Sequence, residues 1–98
     1  MATTVVLYEY DDNTAKRDEL RPAHRDFLAS RDGLLVSGPT GPGADGTTGA
    51  VIVYDADSPA ELEAWLDGDP FWTAGTISRR VVTPWMVGMG SWKDSLGL

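Results

Sequence analysis

The sequence has no cysteine and only one histidine. The first absence excludes disulfides, thiolate nucleophiles and every cysteine-ligated metal site, and leaves the redox compartment open. The second leaves His24 as the one side chain that ordinarily titrates near neutral pH. Long apolar runs are missing too. Val5-Val6-Leu7 and Ala50-Val51-Ile52-Val53 are far shorter than a bilayer span requires. No basic stretch followed by an apolar one opens the chain, so a cytoplasmic protein is expected. Basic residues are scarce, 8 Lys and Arg against 15 Asp and Glu, for a net charge of −7. That balance argues against nucleic acid, whose phosphates need clustered cations, and against an anionic membrane surface.

What is present suits one domain: 98 residues leave no room for a second. A domain of this size buries only about 60–65% of the surface its unfolded chain exposes. A further apolar interface would therefore help to stabilise it.

The most informative stretch is Leu20-Arg21-Pro22-Ala23-His24-Arg25-Asp26-Phe27-Leu28. On a helix, Leu20, His24, Phe27 and Leu28 share one face, and Asp26 points away from it. The only histidine thus stands where the pattern asks for a core residue, and a buried polar group needs a partner.

In chain order, Thr3 to Tyr10 is β-branched and aromatic, hence a strand, with Val5 and Leu7 on one face and Val6, Tyr8 and Tyr10 on the other. Both faces are largely apolar, which implies burial on both sides. Asp11-Asp12-Asn13 makes a turn, and the polar Thr14 to Glu19 is either loop or a loose helical turn. Proline has no amide proton, so Pro22 is expected in the first turn of a helix running from about Asp18–Pro22 to Arg31, with Gly33 as its stop. Leu34 to Ser37 reads as a second strand and Thr47 to Tyr54 as a third, joined by a long Gly/Pro-rich tip. Ser58-Pro59-Ala60-Glu61 opens a helix with a cap, a first-turn proline and a glutamate that can reach back, and Leu62, Trp65 and Leu66 form its stripe. Asp69 and Pro70 cap and start another helical turn, and Ile77 to Thr83 is the fourth strand. The tail from Pro84 to Leu98 shows little secondary-structure pattern yet carries Trp85, Met86, Val87, Met89, Trp92 and Leu96. Such a segment is expected to dock, on this core or on another subunit.

The order strand, helix, strand, strand, helix, strand predicts a ferredoxin-like α+β fold, a four-stranded antiparallel sheet with helices on one face. The uncovered apolar face then needs a lid. A homodimer packing sheet against sheet supplies one, and the tail is the competing lid.

Four segments carry a resemblance to a known family. They are Leu20-Arg21-Pro22-Ala23-His24 with Phe27-Leu28, Leu35-Val36-Ser37-Gly38-Pro39, Asp67-Gly68-Asp69-Pro70-Phe71, and Val81-Val82-Thr83-Pro84-Trp85. In this order and context they resemble the YciI-like (YCII-related) family over about residues 3–87. The resemblance implies a single YciI-like domain forming a dimeric α+β barrel, with residues 88–98 as an extension. It implies a His–Asp pair in a pocket, here His24 and Asp69, with Ser37 as the small polar residue of the Ser-Gly-Pro turn. Some members are implicated in lyase-like or dehalogenating steps on small ring compounds. The long tip over residues 40–49 and the tail after Trp85 depart from the family pattern, so the substrate does not carry over.

Each candidate has a plainer reading beside it. A carboxylate next to His24 would fix its tautomer and make it a proton acceptor or donor near neutrality; alternatively His24 is a core histidine and Asp69 only a helix cap. Ser37 and Gly38 could offer a hydroxyl and an amide to a ligand, or simply make a turn. No nucleophile elbow surrounds Ser37, and the Gly-rich tip lacks the ending of a phosphate loop. Asp55, Asp57, Asp67 and Asp69 match no calcium-loop spacing, so no metal is expected. Tyr8, Phe71, Trp72 and Trp85 could line a pocket for an aromatic ligand, or be core and interface. Arg79 and Arg80 are candidate anchors for an anionic substrate, the alternative being ion pairs at the surface. Three functional readings follow. The first is a cofactor-free homodimeric enzyme using His24 and Asp69 as acid/base on a small organic substrate, with elimination or isomerisation. The others are a non-catalytic dimer that binds a small molecule or a protein, and an accessory module assembled through its tail.

Overall fold

The computed structural model describes residues 2–97. Its elements are β1 (Thr3–Tyr10), α1 (Thr14–Ala29), β2 (Leu34–Thr40), β3 (Gly49–Asp55), α2 (Pro59–Leu66), α3 (Pro70–Thr73), β4 (Ile77–Pro84) and α4 (Ser91–Ser95). The strands form one antiparallel sheet in the order β2-β3-β1-β4, as the ferredoxin-like expectation requires.

Alternation sets the two faces of the sheet. Val6 lies opposite Ile52 and Tyr8 opposite Ala50. These side chains and Tyr54 form one core with Leu28, Leu62, Leu66 and Phe71 from the helices. Val5, Leu7, Val51 and Val81 point the other way, where Leu7 remains 41% exposed and Val36 38%. The expected burial of both strand faces is thus met on one side only within a single chain.

Several boundaries differ from the sequence reading. Helix α1 starts a full turn earlier, at Thr14, because Asn13 caps it by accepting from the Lys16 amide. Pro22 therefore sits inside the helix, not in its first turn. What holds the earlier turns is Arg17, only 2% exposed, which donates to the Asp11 carboxylate (2.7 Å), the Asp11 carbonyl and the Thr76 carbonyl. Strand β2 runs on to Thr40, with Pro39 opposite Ala50. It is an edge strand, where a residue without an amide proton costs no ladder bond on its open side. Ser37-Gly38-Pro39 is accordingly part of a strand and not a turn, and β3 begins at Gly49 instead of Thr47.

The tail contains one short helix, α4, where no element was expected. It does not bury its large apolar side chains on its own core: Met86 is 88% exposed, Met89 90% and Trp92 64%. Leu98, the last residue of that segment, lies outside the described residues. Among the described residues no helix is long and apolar enough to cross a membrane.

Candidate active site

Asp69 is placed by the joint between α2 and α3. Its side chain caps α3, accepting from the Phe71 amide at 3.0 Å, and Pro70 fills the first helical position, where no amide proton is needed. The same Oδ1 lies 2.8 Å from His24 Nδ1, and Oδ2 accepts from the Tyr8 hydroxyl at 3.0 Å. The residue is fully buried. Three donors around one enclosed carboxylate offset the cost of taking its charge out of water. The two readings of Asp69, helix cap and histidine partner, are both realised by one oxygen.

His24 comes from the middle of α1 and is 7% exposed. Its ring lies flat on Phe71, with centroids 3.8 Å apart and planes 3° from parallel. A carboxylate that already serves two other donors can only accept, so it requires a proton on Nδ1. The neutral ring then carries its lone pair on Nε2. That nitrogen makes no hydrogen bond among the described residues, and the ring borders an open cavity of about 580 Å³.

The cavity lies between α1 and the β2–β3 edge. Ser37, Gly38 and Pro39 line it from β2, Ala50 and Ile52 from β3, and Tyr10 and Phe71 from the core side. Its helical wall adds Arg21, Arg25 and Asp26. Burial, with the charge of Asp69 as a lesser cause, pushes the Tyr10 phenol up, so it stays a neutral hydroxyl in the cavity wall. Burial also raises Tyr8, helped by the Asp69 charge and by the hydrogen bond to Asp69. Tyr8 therefore remains a proton donor to that carboxylate across the physiological range. Among the described residues no three His, Asp or Glu side chains converge as a cation site would need.

The structure brings together His24, Asp69, Tyr8 and Phe71, and places Ser37 and Gly38 in the cavity wall. Tyr8 touches Asp69 from behind and does not line the cavity. Trp85 is not part of this group. It borders a separate cavity of about 830 Å³ with Thr4, Ala56 and Met86, because β4 ends beside the start of β1. Arg80 does not face the cavity either. Its side chain is 5% exposed and pairs with Asp67 at 2.7 Å, while Arg79 is exposed and lies 3.7 Å from Glu9. Sequence reasoning missed Tyr10, Arg21, Arg25 and Asp26 as cavity residues. Only Arg21 left a signal, standing three residues before His24 on the same helix. Asp26 was expected to point away from the His24 face; it is exposed, yet reaches the cavity rim.

The YCII-related domain family model matches residues 1–86. Protein YciI of Escherichia coli O6:H1 is 34% identical over 90 residues, covering 81% of this chain and 92% of that protein, and Protein YciI of Shigella flexneri matches equally. Among solved structures, the 5-chloro-2-hydroxyhydroquinone dehydrochlorinase of Burkholderia phenoliruptrix, in complex with 2,5-dihydroxybenzoquinone, is similar with a TM-score of 0.73 and 24% identity. That match covers 88% of this chain and 95% of the other. A cofactor-independent oxygenase from Streptomyces nogalater follows at a TM-score of 0.57, 12% identity, and coverage of 92% and 95%. A dimeric ferredoxin-like protein of unknown function from Thermobifida fusca gives a TM-score of 0.52 at 14% identity, with coverage of 88% and 90%. The structural likenesses bear on the fold, and the matches in sequence bear on descent: this chain belongs to the YCII-related domain family.

Proposed function

We propose that the protein is a homodimeric enzyme that uses His24, oriented by Asp69, as a general acid/base on a small cyclic organic substrate. The observation that carries this reading is the His24–Asp69 contact at 2.8 Å, which engages Nδ1 and leaves Nε2 free on a ring that borders the cavity. Nε2 takes a proton from a C–H or O–H of the substrate, and the Asp69 carboxylate stabilises the imidazolium that forms. The electron pair left on the substrate then expels a leaving group from the adjacent atom, giving elimination. Alternatively, the imidazolium returns the proton to another position, giving isomerisation. Ser37, Tyr10 and the stacked Phe71 bound the space a planar ring would fill. The name of one structural neighbour, a dehydrochlorinase, describes an elimination of this kind.

The probe is 2,5-dihydroxybenzoquinone, followed by turnover of chlorinated hydroxyhydroquinones. Binding is expected to shift the imidazole signals of the only histidine. His24→Ala is expected to fold and to lose turnover by about 10²-fold or more. Unchanged turnover in that variant would rule out the acid/base role. Binding without turnover in the wild type would make the protein a ligand-binding dimer.

A further inference from the structure

We infer that Arg80 is a positioning residue for the His24–Asp69 pair: from β4 it clamps both sides of the joint that carries Asp69. This rests on the acid/base reading of that pair. The Arg80 guanidinium donates through one terminal nitrogen to Asp67 Oδ1 at 2.7 Å, and the same nitrogen lies 3.6 Å from Glu63 Oε1. Its plane covers Trp72, with the guanidinium carbon 3.7 Å from the ring centroid. Asp67 comes two residues before Asp69 and Trp72 three residues after it. One rigid, planar cation thus grips the end of α2 and the body of α3 together, which a flexible ammonium cannot do.

Two features support a positioning role in addition to the pairing with these surface carboxylates. The side chain is 5% exposed, and its Nε and second terminal nitrogen are buried with no hydrogen-bond partner among the described residues. A buried donor left unpaired is unfavourable, so the placement has to be maintained by the contacts at the other end. The joint has little slack on its far side as well. A Cβ on Gly68 would come within 3.2 Å of Phe27 Cε2, so the turn lies close against α1. Arg80 also stands directly across the sheet from Tyr8, the second residue that fixes Asp69.

The test reads the tautomer of His24 by ¹⁵N NMR at a pH where the ring is neutral. In the wild type the proton is expected on Nδ1. In Arg80→Met the single-tautomer signature is expected to give way to a mixture, with far-UV circular dichroism unchanged. Arg80→Lys is expected not to restore it, because the charge returns but the planar grip does not. Arg79→Met is the control and is expected to leave the spectrum as it was. A folded Arg80→Met protein with the wild-type spectrum would overturn the inference and leave Arg80 as a stabilising residue only. If Arg80→Met does not fold, Asp67→Asn and Trp72→Leu each remove one side of the clamp. The inference then requires that both disturb the tautomer, and is overturned if either leaves it unchanged. A wild type with its proton on Nε2 would instead contradict the acid/base reading itself, so the two failures are distinguishable.

Discussion

Asp69 serves three donors with two oxygens, and each donor belongs to a different element: Tyr8 to β1, His24 to α1 and the Phe71 amide to α3. Removing one donor leaves a buried acceptor short. Tyr8→Phe keeps the ring volume and deletes only the hydroxyl, so it is expected to cost about 1–3 kcal/mol in urea denaturation. Two of the three tyrosines in the core wall are tied up in this way. Tyr54 donates to the Leu28 carbonyl at 2.7 Å, and burial pushes its phenol up to about 12. The native state holds the neutral phenol. Its contribution, about 2–3 kcal/mol, is therefore complete below the unfolded value near 10. It is lost as pH rises through about 12. Stability measured against pH is expected to fall across that interval, and Tyr54→Phe is expected to flatten the fall.

Among the elements, α1 shows best what sequence pattern conveys and what it does not. The face holding His24, Phe27 and Leu28 follows from helical spacing alone, and the structure buries His24 and Leu28 as that spacing requires. Of the local rules for the start of the helix, the asparagine cap at Asn13 was the right one, but the sequence reading followed the rules for proline. Those rules place a proline in the first turn, whereas here the Arg17 bonds to Asp11 and Thr76 extend the helix upstream and leave Pro22 inside. These partners include a residue 59 positions away, which no local window contains. An interior proline breaks one helical bond and crowds the preceding turn. Pro22→Ala is thus expected to raise stability by up to about 3 kcal/mol in the same denaturation assay. Local signals sufficed where the partners were local: Ser58-Pro59 and Asp69-Pro70 cap α2 and α3 where the sequence placed those caps. Trp85 lies away from the cavity because β4 ends beside the start of β1, and Arg80 takes the ion-pair alternative that the sequence left open.

For the whole molecule, the open sheet face is the feature a single chain does not resolve. Leu7 and Val36 lie on it exposed, and the apolar tail side chains Met86, Met89 and Trp92 stay uncovered. In a domain this small, so much apolar surface favours association. Light scattering at micromolar concentration is expected to give a dimer, and Leu7→Asp a monomer with unchanged circular dichroism. A monomeric wild type would contradict the homodimer proposal while leaving the cavity and its histidine untouched.

The central claim concerns one proton. The most direct measurement is the ¹⁵N spectrum of His24 in the wild-type protein, with the ring neutral, and the single histidine makes its assignment immediate. The expected result is a proton on Nδ1, held by Asp69, and a lone pair on Nε2 facing the cavity. Asp69→Ala is expected to abolish that preference. A proton found on Nε2 in the wild type would leave no base at the cavity and would contradict the account.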